Sequence, residues 1–224
     1  MRPGMEGSEK SQLRRRFRRT RRLSLPEAAA GIVAVASREL PGRVRPGHHL
    51  GLYWPLAAEP DLRILAERAP GPLALPAVRP GAGLIYLPWS PGDPLAPDAC
   101  GIAAPLDGPP LEPEALGLLL VPALAVSPAG LRLGSGGGWY DRLRADPRWR
   151  AVPALAVLPA ACVAATLPSD PWDIPLSGWL DEEGLHWIEP AAGNIATHEP
   201  TGPVKAGTAA LCQDPPSHSL RCWT

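Results

Sequence analysis

The stretch GLRLGSGGGWYDRL, from Gly130 to Leu143, carries the densest chemistry of the chain. Gly130, Gly134, Gly136, Gly137 and Gly138 stand close together, Arg132 and Arg142 flank the last four, and Trp139, Tyr140 and Asp141 complete the run. Glycines let successive backbone N–H groups converge on one point, and two guanidinium groups add positive charge. Together they suit the oxygens of a phosphate chain. The same residues suit a tight turn, and in a glycine-rich chain spacing alone leaves both readings open. Two familiar phosphate-binding patterns are excluded. G-x-x-x-x-G-K-[ST] needs a lysine after its last glycine, where Trp139 stands, and G-x-G-x-x-G begun at Gly134 needs a glycine at that same position.

A second source of charge is the run from Lys10 to Arg22, which holds eight cations and no carboxylate. Lys10 and Arg14 are four residues apart, so on a helix they share one face and could meet one anion. A basic helix facing solvent is the alternative. Among the acids, Glu59 opens a helical pattern, a place that the helix dipole favours for a carboxylate. Asp141 suits a helix cap, and Asp173 a turn before Pro175. Trp54 lies beside an apolar segment, where aromatics ordinarily join the core. The four cysteines form no C-x-x-C pair and stand at no zinc-ligand spacing with histidine, so they read as reduced thiols.

The elements that would position these residues follow from periodicity. Residues 1–7 read as a flexible N-terminus, and a helix is expected from Ser8, with Leu13 and Phe17 on its apolar side. A second helix is expected to start at Ser24 as cap, with Pro26 and Glu27 in its first turn. HHLGLYWP reads as a buried strand, EPDLRILAERA as a helix, and PLALP and GLIYLPW as strands. LGLLLVPALAV, the most apolar stretch, suits a central parallel strand leading into the glycine loop. WYDRLRA starts a helix, VPALAVLP is a buried strand, and LSGWLDEEGLHWI makes two short strands turning at Asp181–Gly184. This alternation implies an α/β fold: a three-layer α/β/α, Rossmann-like arrangement around a mainly parallel sheet. Ligands bind such sheets at the carboxyl ends of the strands, where the glycine loop is expected. Residues 8–188 form the domain. Residues 189–224, rich in Pro, Gly, Ser and Thr, read as a disordered extension.

Bulk properties narrow the function classes. With 224 residues and 45% hydrophobic composition, the chain can bury a core, and its formal net charge is zero. Nucleic acid is not expected as a partner, because the one basic helix has no second basic patch to match it. No apolar run reaches the roughly 18 residues of a membrane span. A cytoplasmic protein is expected.

The run Gly130–Leu143 closely resembles the signature of the 5-formyltetrahydrofolate cyclo-ligase (5,10-methenyltetrahydrofolate synthetase) family, roughly G-x-R-L-G-x-G-G-G-x-Y-D-R. Further family features stand in order: KSQLR from Lys10, YWPLAAEPDLRIL from Tyr53, VPALAVSPAGLRLG before the loop, and LPSDPWDIPL with Asp173. The resemblance covers about Ser8 to Ile188. It implies conversion of 5-formyltetrahydrofolate to 5,10-methenyltetrahydrofolate with ATP and Mg²⁺, releasing ADP and phosphate, by a monomer whose partners are small molecules only. It further implies that Lys10 and Arg14 reach the ATP phosphates, that Gly134, Ser135, Gly136, Gly137 and Gly138 cradle them, and that Arg132 and Arg142 offset charge. Lys10, Arg132 and Arg142 are then the catalytic cations. Asp141 and Asp173 hold magnesium, Glu59 hydrogen-bonds the pterin, and Trp54, Trp139 and Tyr140 pack on the folate. The remaining arginines of the first helix are expected at the surface, with Arg18, Arg21 or Arg22 as helpers. Three departures from the family pattern stand out: Ser127 where a carboxylate is usual, Ser135 where Arg or Tyr is usual, and no glutamine after the next strand. They leave an alternative, a non-catalytic folate- or nucleotide-binding protein on the same fold.

Overall fold

A computed structural model describes residues 4–68, 71–105 and 107–188, with side chains from Glu9 onward. The expected extension at 189–224 lies outside the described residues. A long helix, α1 (Gly4–Glu39), precedes β1 (His49–Gly51), the single-turn α2 (Leu65–Arg68) and the hairpin of β2 (Leu73–Arg79) and β3 (Gly83–Trp89). A ribbon of β4 (Leu95–Pro97) and β5 (Ala103–Pro105) leads to β6 (Leu116–Pro122). A second ribbon, β7 (Ala125–Val126) with β8 (Arg132–Leu133), precedes α3 (Trp139–Ala145), α4 (Pro147–Ala151) and β9 (Ala154–Val157). The hairpin of β10 (Gly178–Leu180) and β11 (Leu185–Trp187) closes the domain.

The central sheet runs β11-β10-β9-β6-β1-β2-β3. Its five inner strands are parallel, and β11 and β3 pair antiparallel at the two edges. Strands covered on both faces need apolar residues at every position, and β6 and β9 supply them. Leu119, Val121, Ala154 and Ala156 join Phe17, Tyr140 and Leu143 in one layer. Leu118, Leu120, Leu155 and Val157 join Ile32, Val35, Ala36 and Leu40 in the other. The expected three layers are therefore present. α1 serves both, with its first half in one layer and its second half in the other.

Three local expectations are corrected. Ser24 and Pro26 do not begin a second helix: α1 is continuous for 36 residues with Pro26 inside it. Pro26 forfeits one backbone hydrogen bond, and Ser24 Oγ donates back to the Thr20 carbonyl at 3.0 Å instead of capping. Burial of both halves keeps the helix whole. The helix expected over EPDLRILAERA shrinks to α2, because the Asp61 carboxylate takes the Arg63 N–H at 3.0 Å and fixes a turn there. The apolar run before the glycine loop is not one strand. Pro122 has no N–H to continue the ladder, and the chain leaves the sheet to form the β7–β8 ribbon.

Consecutive strands run from β1 through β2 to β3 on one side and from β6 through β9 to β10 on the other. The strand order thus reverses between β1 and β6. Loops leaving the carboxyl ends of such neighbours diverge and open a crevice. Residues 52–59 leave β1 there, and Ala123 follows β6.

Candidate active site

The glycine loop, α1 and the segment before β10 enclose a cavity of about 280 Å³. Lys10 and Arg14 enter from α1, Asp141 and Arg142 from the first turn of α3, and Asp170, Trp172 and Asp173 from the segment before β10. Elements more than a hundred residues apart therefore converge on the loop. Lys10 Nζ donates to Asp170 Oδ2 and Asp173 Oδ2, each at 2.5 Å. The Asp170 N–H donates to Asp173 Oδ2 at 2.7 Å and holds that carboxylate beside the lysine. Burial alone would lower the Lys10 pKa, but the hydrogen bonds to the two aspartates outweigh it and the net shift is upward.

α1 also grips the loop itself. Arg14 Nε donates to the Gly134 carbonyl at 3.1 Å, and Arg18 Nη2 to the Ser135 carbonyl at 3.0 Å. Gly136 (φ 116°) and Gly138 (φ 64°) adopt backbone conformations that favour glycine. Among the described residues, no amide from Gly134 to Gly138 donates to a backbone carbonyl. A row of such amides, with the carbonyls of Gly134, Ser135 and Gly138 engaged elsewhere, is suited to an anion. Burial, then the neighbouring Arg18, lowers the Arg14 pKa against the pull of Asp173, Asp141 and Asp170. Arg132 Nη2 donates to Asp141 Oδ1 at 3.0 Å, and its guanidinium lies 5.4 Å from the Tyr140 ring centre. Arg142 stands over the Trp139 ring at 4.3 Å.

A second, smaller pocket adjoins the first, and Trp139 and Tyr140 line both. Tyr53, Trp54, Leu56 and Glu59 come from the loop after β1, and Pro122 from the end of β6, so this pocket lies at the strand-order reversal. Its walls are apolar apart from few groups. Glu59 is 7% exposed. Its Oε1 accepts from Arg21 Nη1 at 3.4 Å and its Oε2 from the Leu56 N–H at 3.0 Å. Burial raises the Glu59 pKa, against the Leu56 hydrogen bond and Arg21. Tyr53 OH donates to the Pro60 carbonyl at 2.7 Å and holds the turn. Burial pushes the Tyr140 hydroxyl up to about 12. Trp54 meets Trp89 edge-on at 6.4 Å, with the Arg63 guanidinium 4.5 Å from its ring centre.

Every residue that the resemblance gave a catalytic, nucleotide-, folate- or metal-binding role thus lines one of two adjoining pockets, whereas the helper candidates Arg18, Arg21 and Arg22 line a neighbouring groove with Glu59. Glu59 is corrected in one respect: it sits in a turn, not at the start of a helix, since its N–H bonds the Leu56 carbonyl at 2.9 Å. Arg21 is corrected too, being 6% exposed and not a surface charge. Its position four residues after Phe17, on the apolar face, was the available signal. Asp170 and Trp172 went unnoticed beside Asp173 in SDPWD. Arg144, 3% exposed, had no signal. It donates to the carbonyls of Val152 (3.0 Å) and Pro175 (3.4 Å), and burial lowers it to about 10.

Fold and site together define a Rossmann-like α/β protein with two adjoining pockets, one lined mainly by charged and polar residues and one mainly by apolar and aromatic ones. The sequence profile described as the 5-formyltetrahydrofolate cyclo-ligase family matches residues 6–180, and the chain belongs to that family. A 5-formyltetrahydrofolate cyclo-ligase of Mycolicibacterium smegmatis is 32% identical over 204 residues, covering 86% of this chain and 99% of that protein. The 5,10-methenyltetrahydrofolate synthetase of Aquifex aeolicus has a similar structure, with TM-score 0.64 and 27% identity over 85% of this chain and 99% of that one. The corresponding synthetase of Mycoplasma pneumoniae shares the fold at TM-score 0.58 and 19% identity, over 78% of this chain and 99% of that one.

Proposed function

We propose that the protein uses ATP to convert 5-formyltetrahydrofolate into 5,10-methenyltetrahydrofolate, releasing ADP and phosphate. The observation that carries this reading is the junction of the two pockets at Trp139 and Tyr140. ATP occupies the charged cavity with its γ-phosphate toward that junction, and the folate fills the apolar pocket with its formyl group toward the same point. The formyl oxygen attacks the γ-phosphorus as the bond to the ADP oxygen breaks. N10 then attacks the formyl carbon, the ring closes, N10 loses its proton, and phosphate departs with the former formyl oxygen. Such a reaction asks a protein mainly for positioning and charge neutralisation. Lys10, Arg14 and Arg142 meet the phosphates, and the amides of Gly134 to Gly138 cradle them. Arg132, engaged with Asp141 and Tyr140, steadies the loop from below. Glu59 accepts N–H groups of the pterin edge, and Trp54, Trp139 and Tyr140 pack on the rings.

The residues present also fit magnesium. Asp141 and Asp173 are hard oxygen donors facing one cavity, and Mg²⁺ takes one or two carboxylates together with phosphate oxygens and water. Among the described residues no group of three or more ligating side chains is found. Bound at Asp141 and Asp173, Mg²⁺ would neutralise charge on the phosphate oxygens. A second reading, binding without turnover, is favoured by Ser127, whose Oγ is buried without a hydrogen-bond partner where the family usually has a carboxylate. Purified protein with 5-formyltetrahydrofolate, ATP and Mg²⁺ decides between them: the methenyl product is followed by its near-ultraviolet absorbance. ATP-dependent product supports turnover, and binding of both ligands without product supports the second reading.

A further inference from the structure

Lys10, Arg14, Phe17 and Arg21 stand at spacings of four, three and four, and so on one face of α1. The first two reach the charged cavity, Phe17 the core, and Arg21 the Glu59 carboxylate that lines the apolar pocket. A fully charged side chain buried mid-helix is costly unless its partners are specific. Arg21 has two. Its Nη1 donates to the Ala123 carbonyl at 3.1 Å, just past β6, and to Glu59 Oε1 at 3.4 Å. The Leu56 N–H holds the other carboxylate oxygen. Each oxygen is oriented by one donor and keeps further lone-pair capacity for a ligand.

We infer that Arg21 is the positioning residue of the apolar pocket: it fixes the plane of the Glu59 carboxylate and supplies its counter-charge, so that Glu59 presents two acceptors to the pterin. This rests on the reading of Glu59 as the pterin acceptor. Other ionisable groups face the same carboxylate. They are Tyr53 after β1, Tyr140 on α3, Asp98 across the pocket, and Arg14, Arg15, Arg18, Arg19 and Arg22 of α1. Among the described residues, Arg21 is the cation hydrogen-bonded to it. Burial opposes the ionised carboxylate, and without Arg21 the proton would stay on to higher pH. A protonated Glu59 is no longer a double acceptor.

The test is calorimetric binding of 5-formyltetrahydrofolate, and separately of ATP, between about pH 6 and pH 9. R21Q removes the charge and keeps donors. It is expected to lose about tenfold or more in folate affinity at neutral pH and to regain it as pH rises, with ATP affinity unchanged. R21K is expected to retain most of the folate affinity. E59Q loses folate affinity at every pH. The double variant R21Q/E59Q binds folate no more weakly than E59Q, since Arg21 acts through Glu59. A pH-independent loss in R21Q, an equal loss for ATP, or a double variant weaker than E59Q overturns the role of Arg21 while leaving that of Glu59. Wild-type folate affinity in E59Q is a different failure: it removes the Glu59 reading and this inference with it. If R21Q does not fold, R21K and the double variant, which strands no buried charge, carry the same decision.

Discussion

The two pockets solve opposite electrostatic problems. In the cavity at the glycine loop, charges are paired with ones that a ligand could take over, Lys10 with Asp170 and Asp173 and Arg132 with Asp141, while Arg14 rests on the Gly134 carbonyl and Arg142 on the Trp139 ring. The carboxylates of these pairs keep contact with solvent, at 18%, 15% and 29% side-chain exposure, although Arg132 itself is as enclosed as Arg21, so exchanging the partner of a carboxylate costs less here than in a sealed pair. In the adjoining pocket a single pair, Arg21 with Glu59, is nearly sealed, at 8% and 3% side-chain exposure. A pair so enclosed cannot trade partners cheaply. It serves a ligand by holding still. One helix, α1, supplies the cation to both, which couples the placement of the two ligands to the pose of one rigid element.

The largest expected effect is on the sealed pair. Arg21→Ala leaves Glu59 buried without its counter-charge, and urea denaturation is expected to show a loss of about 3–5 kcal/mol. By contrast, Asp170→Asn, in the open cavity, is expected to cost about 1 kcal/mol or less. Equal losses would erase the distinction between a fixed and an exchangeable pair. Next comes the open cavity's chemistry. Lys10→Ala is expected to lower kcat/KM for ATP by about 100- to 1,000-fold, whereas Arg19→Ala, exposed on the same helix, changes it by about twofold or less. Similar values for the two would mean that the helix offers only diffuse charge. Glu59→Gln follows, with folate KM raised about 10- to 100-fold and ATP KM unchanged. A parallel rise in both would show that the pockets are not separable.

How far the sequence revealed this depended on whether the signal was local. The glycine loop, Tyr140, Asp141 and Arg142 are contiguous, so their meeting in one cavity needed no tertiary information. The buried strands were legible because β6 and β9 are apolar on both faces. Lys10 and Arg14 were legible as a pair through helical spacing, and Asp173 only through family resemblance. Arg21 was misjudged because its neighbours Arg19 and Arg22 do face solvent, and its place four residues after Phe17 is the one local sign that sets it apart from them. The Ser24–Pro26 signal was a genuine helix start by local rules, overridden because α1 is packed against the domain on both sides of it. Arg144 binds only backbone carbonyls, which no sequence pattern announces.

The smallest effect is the most specific test of the open pairs. Hydrogen bonds from Asp170 and Asp173 raise the Lys10 pKa despite the opposing pull of burial. A lysine whose folded pKa exceeds its unfolded value contributes stability that is fully present below the unfolded value. That contribution is lost as pH rises through the folded one. Thermal melts of wild type and Asp170→Asn through the alkaline range should therefore converge as pH climbs past 10.5, the ordinary lysine value. The wild type loses its advantage, and the variant, with one raising contact gone, has less to lose. Tyrosines ionising in the unfolded chain near the same range affect both proteins alike and cancel in the difference. Melting curves that stay parallel across that range would mean that Lys10 spends its time away from the aspartates even in the free protein. Exchange of partners would then not describe how the open cavity receives its ligand, whereas the sealed pair beside it would be untouched by the result.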